Sequence, residues 1–280
     1  MSWIITGTAK IPAIGGDEVF DININDTVYR VHKFTTVGTS VFTLHTNLDL
    51  EYLVVGGGGG GSRNLGFSSP RGGGGGAGGL LKWISGESGN TGTQALNLGS
   101  GAYIISVGGG GAASQNRTDS ATGRSGQGSS ISSLIAVLGG GHGGINNVQY
   151  TSPAGSGGGG DTGVGQSGTS PQGFNGGKGS DLPVNLGGGG GGAGQNGSAH
   201  YSLSPGKGGD GKLSAITGAA TYYAGGGAGS VTGVGGLGGG GSSSAPAGAA
   251  NTGGGGRAGN SGSGSYPGGS GIVIVRYQIA

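Results

Sequence analysis

Leu48–Gly61 reads LDLEYLVVGGGGGG: a strand-like segment running straight into six glycines. The first half is rich in Leu, Tyr and Val and bounded by turn residues, as a β-strand requires. The second half has no side chains with which to build a conventional core. The junction recurs in reverse at Gly268–Ile279, GGSGIVIVRYQI. Between the two lie further glycine runs, at Gly56–Gly61, Gly72–Gly79, Gly108–Gly111, Gly139–Gly144, Gly155–Gly160, Gly187–Gly194, Gly225–Gly229, Gly238–Gly241 and Gly253–Gly256, some broken by one small residue.

Glycine makes up 82 of the 280 residues, roughly 29 % against a usual ~7 %. Each glycine costs a helix about 1 kcal/mol relative to alanine, so a core of packed helices is excluded. Collagen is excluded too, because no G-X-Y period is kept and only 8 residues are proline. Composition alone describes a flexible linker. Runs of six to eight glycines, however, are too regular for turns. Polyglycine can adopt the polyproline-II conformation, with three residues per turn and about 3.1 Å per residue. Without side chains such helices pack backbone to backbone, each N–H bonding to a neighbour's carbonyl. The fold class expected is therefore non-α. A small antiparallel β-unit covers residues 1–55, a polyglycine/polyproline-II helix bundle covers 56–271, and a C-terminal β-strand at 272–280 closes it.

Within residues 1–55, strands are expected at Val28–Thr36, Ser40–His45 and Leu48–Val55. Leu48–Val55 and Ile272–Ile279 are expected to pair in one sheet that also holds strands from Val28–His45. The connectors between runs alternate between polar and apolar. If Asp161-Thr162 is a tight turn and Gly225–Gly241 one long pass, polar connectors gather at one end of the bundle. The other end then holds Leu81, Ile104, Leu134, Ile216 and Val273.

Other signals are mostly negative. There is no cysteine, hence no disulfide and no thiolate metal site. The N-terminus lacks a basic region followed by an apolar run, so no secretory signal is expected, and no stretch is long and apolar enough for a membrane span. Residues 1–55 hold six acids and three bases, a net −3; the remainder holds five acids and ten bases, a net +5. That excess is too sparse for nucleic acid. G-x-G-x-x-G should occur by chance roughly seven times at this composition and carries no dinucleotide information. No Walker A sequence is present, because Gln172 stands where its first glycine belongs and Gly179 follows Lys178. His32 and His45 lie on expected strands, His142 in a glycine run and His200 in a polar loop, without zinc-ligand spacing. No enzyme activity, cofactor or metal is expected.

The polar connectors carry the recognition chemistry. They place single aromatics among amides, hydroxyls and bases: Arg63, Asn64 and Phe67; Gln149 and Tyr150 beside Asn147; Gln195 and Asn196 with His200 and Tyr201; and Phe174 with Asn175. Another connector holds Gln115, Asn116, Arg117 and Arg124. Loops of Tyr, Asn, Ser and Gly on a rigid support are typical of recognition surfaces. The alternative is that these aromatics pack together and merely close the bundle.

Leu50–Gly61 (LEYLVVGGGGGG), Gly72–Leu80 (GGGGGAGGL), Asn251–Gly256 (NTGGGG) and Gly268–Tyr277 (GGSGIVIVRY) together resemble the glycine-rich domain of phage tail-fibre and related virion proteins. The resemblance covers roughly residues 48–280. In architecture the chain is also similar to the distal adhesins of T-even-like long tail fibres, although residues 1–55 do not resemble their attachment domain. The resemblance implies a virion protein at a tail fibre or tail tip, joined to a fibre or baseplate protein through residues 1–55. Its loops would bind a bacterial outer-membrane protein or surface glycan. The candidate receptor-binding residues are Arg63, Asn64, Phe67, Asn116, Arg117, Arg124, Gln149, Tyr150, Phe174, His200 and Tyr201. The alternatives are a purely structural virion protein and an ice-binding glycine-rich protein.

Overall fold

A computed structural model describes residues 11–63, 72–114, 123–145, 152–180, 186–201, 204–259 and 264–279. Its regular elements are strands: β1 (Ala13–Ile14), β2 (Glu18–Ile24), β3 (Thr27–Phe34), β4 (Gly38–Leu44), β5 (Leu48–Val55), β6 (Leu80–Trp83), β7 (Leu96–Leu98), β8 (Gly101–Val107), β9 (Ser129–Ile131), β10 (Ile135–Val137), β11 (Lys212–Ser214), β12 (Thr221–Tyr223) and β13 (Ile272–Gln278). The chain is all-β, its strand pairings antiparallel, with no helix among the described residues. The non-α class is as expected. The finer expectation, a bundle of polyglycine helices, does not appear among the regular elements.

Two sheets face each other. One has the order β2-β3-β13-β5-β6, the other β1-β4-β8-β9-β10. Phe34, Tyr52, Val54, Val273, Val275 and Tyr277 from the first meet Phe42, Leu44, Ile105, Val107, Ile131 and Val137 from the second. The opposite face of the first sheet is also covered. There Val31, Leu53, Val55, Ile272 and Ile274 pack with Ala77, Ala193, Ile216 and Tyr223. A strand buried on both faces needs a continuous apolar run rather than alternation. β5 and β13 have such runs, and they pair with Val54 opposite Val273, as the sequence implied.

β3 joins the same sheet, but β4 does not. It pairs with β8 in the other sheet. The cause lies at the β3–β4 junction. The Asp17 carboxylate accepts hydrogen bonds from the backbone N–H of Thr35 (2.5 Å) and Thr36 (2.9 Å) and from both hydroxyls (3.0 Å each). Four bonds to one carboxylate fix a corner, and the chain crosses between sheets there.

The glycine runs belong to no strand, yet most of their amides donate to a neighbour. All seven N–H groups of Gly56–Ser62 donate to carbonyls, and every third one faces the same neighbour. Gly56, Gly59 and Ser62 donate to Gly79, Gly76 and Gly73; Gly57 and Gly60 to Gln127 and Arg124; Gly58 and Gly61 to Gly269 and Tyr266. The run accepts in turn from Gly111, from Gly140 and Gly143, and from Gly256 and Gly259. It donates to three neighbouring stretches and accepts from three others. No side chain fits between them: a Cβ built on nearly every glycine of these runs would overlap a neighbouring carbonyl. Burial here is of backbone, which is tolerable where the amides are paired, as all seven of Gly56–Ser62 are.

The same bonds give each pass its direction. Asp161-Thr162 is a reversal, as expected: residues 158–160 and 163–166 lie against each other, with Gln166 N–H bonded to Gly158. Gly225–Gly241 is not one pass. Residues 225–229 run opposite to 206–209, whereas 234–237 run with 208–211, so the chain turns at Ser230–Gly233 and again at 237–239. A second correction concerns Ile145–Pro153. Gly139, Gly141 and Gly144 pair in parallel with Gly155, Ser156 and Gly159, so that connector returns the chain to the sheet end. The connector alternation is broken at that point.

Candidate functional site

The rungs define two ends. At one lie the sheets, with Leu81, Ile104, Leu134, Ile216 and Val273 on or beside their strands, as expected. The far end is reached through Ser62, whose Oγ donates to Gly144 (2.6 Å). Gly144 N–H bonds to Gly159, Gly160 to Gly177, and His200 to Lys178, so His200 shares that end. Arg63 and Arg124 are there too, since Arg124 accepts from Gly60, three residues before Arg63.

The side chains differ in what they present. Tyr201 is 83 % exposed, beside a single bridge to Ser204. Arg124 is exposed, His200 is half-buried and Arg63 is buried at 5 %. Arg257, also buried, lies over the Tyr266 ring at 4.8 Å and donates to the Val231 carbonyl at 2.5 Å. Arg63 Nε, Arg257 Nε and His200 Nδ1 are buried without a partner among the described residues. Two further stems close here: Ser114 N–H donates to Ser265 Oγ (2.8 Å), and Gly259 N–H to Ser62. Asn64, Phe67, Asn116, Arg117, Gln149 and Tyr150 lie outside the described residues.

Phe174 is elsewhere. The Thr169–Gln172 turn before it looks polar, yet it sits against the sheets. The Gln172 carbonyl accepts from Leu80 N–H, and its side-chain Oε1 from Leu138 N–H (2.8 Å). Phe174, 40 % exposed, therefore stands apart from Tyr201 and lines a groove of about 400 Å³. Ser170, Pro171, Asn175, Asn196 and Lys212 complete it. Asn175 and Asn196 could be read in the sequence as loop amides. Lys212 could not, because β11 brings it from a separate connector.

The buried charges are structural. Glu51 stands opposite Arg276 across the β5–β13 pair and is bonded to it; Arg276 also lies over Tyr29 at 4.8 Å and donates to the carbonyls of Ala215 and Ile216 (3.2 Å each). Lys82 bonds to Glu87 and to the Leu213 carbonyl (2.7 Å). Together they fasten residues 213–216 onto the sheet. His32 is buried, its Nδ1 2.6 Å from the Gly15 carbonyl and its ring stacked on Tyr277. Burial is the main cause that lowers its pKa, so near neutral pH it is an uncharged core group. Among the described residues no cluster of three or more histidines and carboxylates is placed to hold a metal.

The profile of a family described as a glycine-rich domain matches residues 35–278. The chain belongs to that family. The glycine-rich domain thus begins at the corner fixed by Asp17 and ends with the last residue of β13. It takes in every glycine run together with the strand that closes them. Among curated proteins nothing matches the chain.

Proposed function

We propose that this protein is a phage tail-fibre or tail-tip adhesin, in which a rigid polyglycine bundle holds polar loops toward a bacterial surface receptor. The observation that carries the reading is the hydrogen-bonded array. A three-residue donor repeat toward each neighbour is the repeat of a polyproline-II helix, and three donor directions match a lattice of such helices. A body of this kind has no side-chain core to repack. Its loops can vary in sequence without disturbing it, as a recognition scaffold requires.

The far end suits contact. It carries an exposed Tyr201 and Arg124, with buried arginine and histidine nitrogens that have no partner among the described residues. Aromatic faces and guanidinium donors fit a glycan or an anionic outer-membrane surface. Many copies on one virion would raise weak contacts to useful avidity. Residues 1–55 would provide attachment to a fibre or baseplate protein: among the described residues β2 is an edge strand with its outer side unpaired within the sheet.

The burial of Arg63 and Arg257 favours one rival, a purely structural virion protein whose end is simply closed. Adsorption of virions to host cells separates the two. Replacing residues 64–70 with a Gly-Ser loop and combining this with Tyr201→Ala should abolish adsorption while the melting temperature is kept. Full adsorption by that folded variant would leave the structural role.

A further inference from the structure

The groove around Phe174 lies at the sheet end, away from Tyr201 and Arg124, and its chemistry is one-sided. Asn175 Oδ1 accepts from Gly168 N–H (2.9 Å), and Asn196 Oδ1 accepts from Asn175 N–H (3.0 Å). With both amide oxygens engaged by backbone, the two Nδ2 groups are the ends left to meet a ligand. Lys212 lines the same groove and takes part in no ion pair among the described residues. Burial, and secondarily the charge of Lys82, lowers its pKa, as expected of a half-buried cation without a counter-charge. Ser170 adds a hydroxyl, and no carboxylate among the described residues lines the groove.

We infer that this groove binds an acidic saccharide, with a sugar ring against Phe174, its carboxylate toward Lys212 and its hydroxyl oxygens toward the Asn175 and Asn196 amides. Each part follows from a donor or surface present. A neutral apolar ligand would leave the ammonium unanswered, and a cation would meet like charge. A volume of about 400 Å³ lies within the range of small-ligand sites. The amides are held by backbone bonds, so their donors are in place before a ligand arrives, which lowers the cost of binding. The inference is independent of the loop reading and stands if that reading falls.

The test uses the full chain, with digalacturonate as the probe, lactose as the neutral control and inorganic phosphate as the bare-anion control. Digalacturonate should shift the Asn175 and Asn196 side-chain amide resonances with a Kd of ~1 mM, while lactose and phosphate bind at least ~10-fold more weakly. Asn196→Asp keeps the Oδ1 acceptor for Asn175 N–H but replaces the donor with a negative charge. It should melt as the parent does and lose at least ~10-fold in affinity, as should Phe174→Ala. No resonance shift with digalacturonate, or undiminished binding by folded Asn196→Asp, overturns the inference. Phosphate binding as tight as digalacturonate reduces the groove to an anion site and overturns it too.

Discussion

Adding one methyl group at Gly59 should unfold this protein more readily than truncating most of its side chains. Gly59 lies in the run with six neighbouring stretches. A Cβ there would stand 2.5 Å from the Gly141 carbonyl carbon, 2.9 Å from the Gly140 oxygen, and nearer still to the Gly141 oxygen. Real Cβ atoms keep at least 3.0 Å, so the neighbouring run must move away by 0.5 Å or more. That run is held by Gly140 N–H to Gly57, and its Gly141 carbonyl accepts from Gly76. Both bonds are buried, and each amide left unpaired costs ~1–3 kcal/mol. Against this, alanine restricts the unfolded chain and returns ~0.4–1 kcal/mol. The net expectation for Gly59→Ala is a loss of about 1–5 kcal/mol. Gly264→Ala is the matched control. Among the described residues its Cβ would meet nothing within 4 Å, and its φ lies outside the left-handed region, so it should be neutral or stabilising by up to ~1 kcal/mol. Urea unfolding of the two variants against the parent gives both numbers. A Gly59→Ala variant within ~0.5 kcal/mol of the parent, an ordinary surface effect, would mean that the neighbouring run yields without losing these bonds, contrary to this expectation.

Other expectations follow from the charged groups. Glu51→Ala leaves Arg276 buried without its partner and should cost ~3–5 kcal/mol in urea unfolding, whereas the double variant Glu51→Leu/Arg276→Met should recover most of that loss. His32 has a folded-state pKa below its usual 6.5, so its neutral form is favoured by folding and its contribution is full above pH 6.5. As pH falls below 6.5 the unfolded chain takes up the proton first, and stability declines until the folded-state pKa is passed. The groups facing it are Arg30, Asp21 and Tyr277. Urea midpoints measured from pH 7.5 to 4.5 should show this decline, and His32→Phe should flatten it.

The fold was legible in the sequence where side chains made the decision. LEYLVV and IVIVRY are continuous apolar runs, and each became a strand covered on both faces. The corner at Thr35 was not legible, because it depends on a carboxylate 18 residues away. Nor was the order of the glycine runs. In an ordinary sheet the alternation of buried and exposed side chains fixes register, and polyglycine has none to alternate. Direction changes could be read only at the run ends, and there polarity misled. Thr169–Gln172 is polar because Gln172 caps the Leu138 amide at the sheet end, so polarity alone groups Phe174 with Tyr201 although it belongs near β11. The Phe174 groove was half visible, through its two asparagines. Lys212 enters only by tertiary pairing of β11 with β12.

Amide hydrogen exchange across Gly56–Ser62 puts the array itself to the test. All seven consecutive N–H groups donate to carbonyls of neighbouring runs, and no strand or helix protects them. All seven should exchange only through global unfolding, as slowly as the amides of β13, with no difference between Gly57, Gly58 and Gly59 although each faces a different neighbour. Exchange at free-chain rates, as glycine-rich composition alone would imply, would contradict it. So would protection confined to every third residue, which would mean one neighbour where the hydrogen bonds run to three.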